Sequence, residues 1–339
     1  MRSTLSEEPV GPPVMEYNRY LDETPGPIRR RILALHTYTS SRTNPIAFVR
    51  EAYNLYQIKS RDIPGQVRGT IAHMNHFEHR LKDATGISLG DLKILNIGPG
   101  QTPREMVYLG IKNDVTGIDL DVIPQSFTAA AYLSMLRRNG IMRTMKTLVR
   151  KSLGIDARFM KELKRQLGIS ALPQLTYRQM DATEMQFPKA SFDLAYSFSV
   201  FEHLPDPAKV IDETVRVLKP GGACYISLHL YTSENGCHDV RIFSNNRAGI
   251  PYWSHLRPKY EALIQPNAYM NKLSITEWKK IFTERMPGVC FQFDTHEGEN
   301  AEFLKSEMQA IRKGGELAEY SDDDLLQVNL IALWRKPGS

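Results

Sequence analysis

The sequence predicts an α/β protein built on a doubly wound, seven-stranded sheet with helices on both faces. Short apolar runs alternate with amphipathic helical segments through most of the chain. The first run ends in two closely spaced glycines, and the second ends in an acidic residue. That order is the one that a nucleoside-binding βαβ unit requires.

The first βαβ unit begins with the run 93–97, which leads into Gly98 and Gly100, and its second run ends at Asp119. Glycines allow the backbone to turn tightly and to approach a ligand at a helix N-terminus. A carboxylate at the tip of the second strand can accept hydrogen bonds from ribose hydroxyls. Thr102 stands near where a dinucleotide site has a third glycine, so pyrophosphate binding is disfavoured. Taken alone, the segment also suits an ordinary strand-to-helix turn.

Composition indicates a globular protein, with 42% hydrophobic and 24% charged residues in a chain of 339. No apolar stretch is long enough to cross a membrane. The first residues lack the apolar core of a signal peptide, so we expect a cytoplasmic protein. Cys224, Cys237 and Cys290 have no paired spacing and are expected to be reduced thiols in the core.

The net charge of +5 is unevenly distributed. Segment 134–170 contains ten basic and two acidic residues, a net charge of +8, which leaves −3 for the rest of the chain. Such a segment can face an anionic substrate, a membrane surface or nucleic acid, or can be the solvated face of helices. Phe159 is its only aromatic residue, which argues against nucleic acid because bases need rings to stack on.

Domain organisation follows from the helical patterns around this unit. Residues 1–92 are predicted to form an N-terminal helical cap, with helices at 27–38, 44–56 and 64–83. Residues 93–339 form the main domain, with insertions at about 123–172, 229–272 and 300–320. The cap is a candidate surface for a homodimer.

Three histidines, His73, His76 and His79, lie on one side of the helix predicted at 64–83. Their spacing is compatible with metal binding, but no carboxylate partner is evident. We therefore expect histidines that line a pocket or an interface.

Later segments extend the nucleoside-binding pattern. Asp181 follows the strand 175–179, where its carboxylate can accept a hydrogen bond from an adenine amine while the N–H of Ala182 faces a ring nitrogen. The same aspartate also suits a helix N-cap. A strand at 191–198 precedes an amphipathic helix at 207–218. A sharp Lys-Pro-Gly-Gly turn then leads into a buried strand.

Six motifs in order resemble those of class I S-adenosylmethionine-dependent methyltransferases, in particular the bacterial small-molecule branch. The resemblance covers about 93–228, and more weakly 274–336. The motifs are Ile94-Leu95-Asn96-Ile97-Gly98-Pro99-Gly100, Thr116-Gly117-Ile118-Asp119, Gln179-Met180-Asp181-Ala182, Ser191-Phe192-Asp193, Phe201-Glu202-His203-Leu204 and Leu218-Lys219-Pro220-Gly221-Gly222. The resemblance implies a Rossmann-like methyltransferase sheet with an antiparallel last strand, and S-adenosyl-L-methionine as cofactor.

The resemblance also implies the residues that bind the cofactor. The turn at Gly98 and Gly100 would lie along the methionine part of the cofactor. Asp119, after the second strand, would accept hydrogen bonds from the ribose. The tip of the third strand, at Asp181 and Ala182, would hydrogen-bond to the edge of the adenine. Ser197 would face the sulfonium region through its backbone. Asn96 departs from the family, which usually has an acid there to attract the cofactor's ammonium group. The full predicted set is Asn96, Gly98, Pro99, Gly100, Asp119, Leu120, Asp181, Ala182 and Ser197.

A general base is needed only if the methyl acceptor is a hydroxyl, and His238 or His203 is the candidate. The pair Glu202-His203 also resembles quinone-pathway O-methyltransferases, in which a second glutamate helps to bind a divalent metal. Ser199 stands at that position here, so no metal site is predicted.

The tract after the strand that ends near Leu228 contains Trp253, His255 and Arg257. These side chains suit a pocket for a polar organic acceptor, although the tract is equally compatible with a plain surface loop.

The predicted function is methyl transfer to an oxygen or nitrogen of a small-molecule or lipid-linked acceptor, with an anionic acceptor as one option. One alternative is an RNA or protein methyltransferase that uses the basic segment 134–170. Another, suggested only by Asn96, is a cofactor-binding partner protein without activity.

Overall fold

A computed structural model describes residues 60–100, 102–121, 129–139, 141–239, 242, 250–266 and 268–338. The helices predicted at 27–38 and 44–56 lie outside these residues. Within them, no helix combines the length and the apolar character needed to span a membrane.

Seven strands form one sheet in the order β3-β2-β1-β4-β5-β7-β6. Strands β1 to β5 pair in parallel, whereas β7 is antiparallel to both of its neighbours. The predicted doubly wound sheet with an antiparallel last strand is therefore confirmed. The strands are β1 (Lys93–Ile97), β2 (Asp114–Asp119), β3 (Thr176–Gln179), β4 (Phe192–Phe198), β5 (Leu218–His229), β6 (Cys290–Thr295) and β7 (Gln327–Arg335).

The helices begin and end at residues suited to those positions. The first begins at Asp62, whose side chain accepts a hydrogen bond from the N–H of Gly65, and ends at Gly86, which has a φ of 72°. The helix after Ser274 begins with a reciprocal capping box to Glu277. The helices are α1 (Ile63–Thr85), α2 (Arg104–Leu109), α3 (Ala129–Asn139), α4 (Ile141–Ser152), α5 (Ile155–Leu167), α6 (Pro207–Val217), α7 (Ile275–Arg285), α8 (Gly298–Lys313) and α9 (Asp322–Leu326).

The sheet is buried on both faces because alternate residues of its central strands point to opposite sides. Ile94 and Tyr196 pack with Phe77 of α1, whereas Leu95 and Trp278 belong to the cluster that includes α6 and α7. Helix α1, from the segment predicted as an N-terminal cap, thus covers one face of the main sheet.

The long excursion between β2 and β3 contains α3, α4 and α5, as its helical pattern predicts. Phe159 and Leu163 of α5 pack against Val67 of α1. The guanidinium of Arg104 lies 3.8 Å from the centre of the Phe159 ring, so the only aromatic residue of the basic segment is covered.

Candidate active site

The tips of β1, β2 and β3 meet at one edge of the sheet. The N–H of Gly98, just past β1, donates to the carbonyl of Ile118 at 2.8 Å. The N–H of Met180, just past β3, donates to the carbonyl of Asp119 at 2.9 Å. The convergence that the sequence predicts is therefore present in the backbone.

The turn after β1 depends on its glycines. Gly98 and Gly100 have φ values of 75° and 63°, a region that side chains other than glycine rarely adopt. A Cβ atom on Gly98 would lie 2.5 Å from Cγ2 of Val200, so this glycine also allows a close approach. Pro99 lies against Gly117 of β2, where a Cβ would come within 2.9 Å of the proline ring. The turn is thus fixed between β2 and the segment after β4.

Asp119 connects β2 to this turn. Its Oδ2 accepts a hydrogen bond from the N–H of Gly100 at 3.1 Å, and its Oδ1 accepts one from the N–H of Asp121 at 2.9 Å. Each carboxylate oxygen accepts more than one hydrogen bond, so this arrangement is compatible with ribose hydroxyls at the same group. The next residue, Leu120, has a side chain 38% exposed at the edge, where a flat base can lie.

Asp181 forms the turn that follows β3. Its Oδ1 accepts hydrogen bonds from the N–H and the hydroxyl of Thr183, at 3.0 and 2.8 Å. This is an Asx turn in an irregular segment, and no helix begins there, so the interpretation of Asp181 as a helix N-cap is wrong. Ala182 packs against the main core, which holds its backbone at the tip of the strand.

Two predicted cofactor residues lie inside the sheet. Asn96 is 4% exposed, next to Tyr196 in the register of β1 with β4. Ser197 is fully buried, and its hydroxyl donates to the carbonyl of Ile97 at 2.8 Å. This bond joins the ends of β4 and β1, so the Ser197 side chain stabilises the edge on which the glycine turn begins.

A cavity of about 510 Å³ opens beside this edge, between α1 and the ends of β4, β5, β6 and β7. His73 and His76 line it, as expected of histidines on this helix. Its wall is closed by an ion pair of 2.7 Å between Arg80 and Asp294. The lining residues are Ala72, His73, His76, Phe77, Arg80, Glu105, Phe198, Ser199, Tyr225, Ser227, Asp294 and Asn329.

The pocket expected from Trp253, His255 and Arg257 is not formed by these side chains, and that expectation is corrected. Trp253 is fully buried in a hydrophobic cluster that includes Met308 of α8. Nε2 of His255 pairs with the carbonyl of Tyr231 at 2.7 Å. The guanidinium of Arg257 is paired with the carboxylate of Glu316 at 2.7 Å. Trp253 is held by apolar packing, His255 by a hydrogen bond and Arg257 by an ion pair, so all three side chains stabilise the fold.

The two predicted bases lie together in a histidine cluster at the ends of β4 and β5. The rings of His203 and His238 are 4.8 Å apart, and those of His238 and His229 are 4.9 Å apart. His229 ends β5 and was not predicted from the sequence. His238 has a φ of 55°, unusual for a residue other than glycine.

Burial disfavours the charged form of each ring in this cluster. It lowers the pKa of His203, lowers that of His229 to about 4 and lowers that of His238 to about 3, with the neighbouring histidines adding to the effect on the last two. All three imidazoles are therefore neutral at pH 7. A base with so low a pKa takes up a proton poorly.

Comparison with known proteins finds a similarity in the second half of the sheet. Residues 138–226, which include β3, β4 and most of β5, match the family model described as a methyltransferase domain. Over this segment, about a quarter of its length, the chain is similar to methyltransferases. The matched segment begins after β2, so it does not include the glycine turn at Gly98 and Gly100.

Curated relatives resemble the chain over short segments. An uncharacterized methyltransferase of Mycobacterium sp. (strain JLS) is 34% identical over 66 residues, 20% of this chain and 26% of that protein. A phosphatidylethanolamine N-methyltransferase of Cereibacter sphaeroides is 33% identical over 69 residues, 20% and 33% of the two chains. The 27-O-demethylrifamycin SV methyltransferase of Amycolatopsis mediterranei is 39% identical over 49 residues, 14% and 18%. The chain thus spans a third or less of each relative's length.

The YcgJ protein of Bacillus subtilis is similar in structure with a TM-score of 0.40 and 15% identity, over 78% of this chain and 100% of that one. The fold assignment itself depends on the observed strand order.

Proposed function

We propose that this chain transfers a methyl group from S-adenosylmethionine to an oxygen or nitrogen of a small-molecule or lipid-linked acceptor. The observation that carries the proposal is the junction at the sheet edge. There the Gly98–Gly100 turn is bonded to the Asp119 carboxylate, and a polar cavity opens beside it at the ends of β4 and β5.

The described residues fit the cofactor. Gly98 and Gly100 leave the backbone without side chains where a ligand would approach, since no described atom lies within 4 Å of a Cβ placed on Gly100. Asp119 would hold the ribose hydroxyls, Leu120 would lie beside the adenine, and the turn at Asp181 would present the edge of the ring with Ala182. Pro99, which packs against Gly117, would hold the turn next to β2. Ser197, through its hydrogen bond to Ile97, would stabilise the strand ends near the sulfonium.

The loss of a family carboxylate at Asn96 is compatible with this arrangement. A carboxylate at this position would be desolvated, because Asn96 is only 4% exposed, whereas the amide is neutral. We therefore expect weaker attraction for the cofactor's ammonium group but not a failure to bind.

S-adenosylmethionine supplies an activated methyl group on its sulfonium. The protein's task is then to hold the acceptor atom in line with that methyl and to exclude water, because alignment alone lowers the barrier considerably. Ser199, Ser227 and Asn329 offer hydrogen bonds to a polar acceptor from the strand ends. Glu105 adds a carboxylate, whereas the guanidinium of Arg80 is already paired. The cavity therefore suits a neutral hydroxyl or an amine better than an anion.

The base role predicted for His238 and His203 is not part of this proposal. Burial makes His238 a weak base, and we assign the main catalytic contribution to alignment in the cavity. An amine acceptor attacks through its own lone pair and needs less help from a base than a hydroxyl.

The RNA alternative loses support in the structure. The large exposed side chains around the basic segment are aliphatic, and its single aromatic ring is buried beneath Arg104, so it lacks a stacking surface for bases. The exposed set is Leu133, Leu136, Ile141, Met145, Leu148, Leu153 and Leu172.

Calorimetric titration with S-adenosylmethionine tests the cofactor assignment. Asp119→Ala removes the ribose acceptor and the bond to Gly100, and we expect affinity to fall at least about 100-fold, as for loss of a charged hydrogen-bonded group. Asp114→Asn, at the opposite end of β2, is the matched control and should bind as the wild type does. Equal affinity of Asp119→Ala and wild type would refute the assignment.

Methyl transfer is tested by supplying S-adenosylmethionine with a labelled methyl group to a metabolite and lipid extract and identifying the labelled products by mass spectrometry. Ser227→Ala should slow labelling while leaving cofactor affinity unchanged. Cofactor binding without any labelled product would favour the inactive partner protein.

A further inference from the structure

We propose that Glu202, His203 and His238 form a binding site for one divalent transition-metal cation such as Zn²⁺. One carboxylate oxygen and one nitrogen from each imidazole lie within 4.8 Å of one another, at the ends of β4 and β5. Two imidazoles and a carboxylate are a donor set that borderline divalent cations prefer. The proposal concerns cation binding and does not depend on methyl transfer.

Glu202 is the first argument for a cation. The residue is 1% exposed, and neither carboxylate oxygen makes a well-formed hydrogen bond to any residue that the structure describes. Only the backbone N–H groups of Glu202 and His229 lie near enough to stabilise its charge weakly. A buried carboxylate is costly unless a cation or strong donors compensate it. The imidazoles of His203 and His238 lie beside it, and a cation between the three groups would compensate the carboxylate.

The tautomer of His203 is fixed by its backbone partner. Nδ1 of His203 lies 2.6 Å from the carbonyl oxygen of Tyr269, an atom that can only accept, so Nδ1 carries the proton. The lone pair of this neutral ring is therefore on Nε2, as a metal ligand requires. Ligand histidines in metal sites are commonly held by a carbonyl in this way.

The tautomer of His238 is fixed through a second histidine. Nε2 of His229 donates to the amide oxygen of Asn235 at 2.7 Å, so its Nδ1 is an acceptor. Nε2 of His238 lies 3.1 Å from that Nδ1 and must supply the proton. The lone pair of His238 is then on Nδ1. Two imidazole lone pairs are thus set by partners outside the donor group, which is the arrangement that orients metal ligands.

Only a small movement of the three side chains is needed to bring their donor atoms to the spacing of a metal site. Ligand atoms bound to one Zn²⁺ at about 2.0–2.1 Å lie about 3.3 Å apart in a tetrahedral site. One carboxylate oxygen and one nitrogen of each ring lie within 4.8 Å of one another here, so changes of side-chain torsion that move these atoms together by about 1–2 Å would reach that spacing. His203 and His238 are both partly exposed, so a fourth position can be taken by water or by a polar ligand.

Sequence analysis does not predict this donor set, because Ser199 stands where the resembling motif has a carboxylate. The third donor comes instead from His238, 35 positions after His203 and beyond β5. No local spacing signals such a pairing.

Metal titration of the full-length protein tests the proposal. Protein freed of metal by a chelator is titrated with Zn²⁺ in a calorimeter and with Co²⁺ in a spectrometer, where low-symmetry coordination gives strong visible absorption. We expect one Zn²⁺ per chain. Glu202→Gln and His238→Ala should each weaken binding at least about 100-fold, and His229→Gln, which removes only an orienting partner, about 10- to 100-fold. His76→Ala, on α1 outside the cluster, is the matched control and should bind as the wild type does.

Circular dichroism in chelator shows whether each variant is folded, and Glu202→Gln is expected to fold because an amide removes the buried charge. Wild-type protein that binds no Zn²⁺ at about 100 µM, or binding that persists in a folded Glu202→Gln and His238→Ala double variant, would overturn the proposal. Calorimetry with S-adenosylmethionine on the same variants separates this outcome from a failure of the proposed function, since cofactor affinity should stay unchanged.

Discussion

Substitution of Gly98 by alanine should destabilise the protein through two separable effects. The residue has a φ of 75°, a conformation that costs an alanine about 1–2 kcal/mol. The new Cβ would also lie 2.5 Å from Cγ2 and 2.9 Å from Cγ1 of Val200, so one of the two segments must move. Overpacking of this kind typically costs about 1–3 kcal/mol. The expected loss in free energy of unfolding is therefore about 2–5 kcal/mol.

Gly100 provides the matched control for this prediction. Its φ of 63° is equally unfavourable for alanine, but no described atom lies within 4 Å of its added Cβ. Gly100→Ala should therefore cost only about 1–2 kcal/mol. The difference between the two variants isolates the contact with Val200.

Urea denaturation of the single and double variants measures both effects. Combining Gly98→Ala with Val200→Ala removes the clash, so the double variant should be more stable than the sum of the single losses by about 1–3 kcal/mol. If Gly98→Ala and Gly100→Ala lose the same stability and Val200→Ala shows no coupling, the close approach does not constrain the turn and the reasoning fails.

Three further predictions concern other parts of the fold. Burial alone would raise the pKa of Asp193, but hydrogen bonds from Lys219 and a backbone N–H lower it, so its stabilisation exists above about pH 4 and is lost as the pH falls further. Acid titration of stability should show about 1 kcal/mol less loss for Asp193→Asn than for the wild type. Cys290 is exposed whereas the other two thiols are buried, so a disulfide reagent should label one thiol quickly in the native protein and three after unfolding. Arg257→Ala removes the bidentate partner of Glu316, which Lys259 still contacts, and should lower the midpoint of thermal denaturation, whereas a surface lysine variant should change it little.

The strand-tip geometry of the proposed cofactor site could be predicted because it depends on backbone. A strand that ends in glycines, followed by a second strand that ends in an acid, places those groups at one edge in any parallel sheet. Gly98, Gly100 and Asp119 lie where this rule puts them, and the observed hydrogen bonds follow from neighbouring strand tips. The helix N-cap considered for Asp181 is wrong because its side chain closes an Asx turn with Thr183 and no helix follows, and an aspartate suits both kinds of turn equally well in sequence.

The cavity proposed for the acceptor could not be predicted because it is assembled by side chains from distant segments. Arg80 of α1 and Asp294 of β6 are 214 positions apart, and nothing local to either shows that they meet. Trp253 and His255 failed as pocket residues for a related reason. A buried aromatic residue and a pocket-lining one have the same local pattern, and only packing against α8 distinguishes them.

This division explains why the family motifs say more about the cofactor than about the acceptor. The glycine turn and strand tips are constrained by backbone geometry, so the sequence must keep residues of particular conformational freedom there. The cavity lies between α1, the last two strands and the ends of β4 and β5. Its polar side chains can be substituted without changing the conformation of the glycine turn. Glu105 is the exception, since it lies in the first turn of α2, directly after the glycine turn, and also lines the cavity. A substitution at Glu105 should therefore change acceptor preference and cofactor position together, whereas one at Ser227 should change acceptor preference alone.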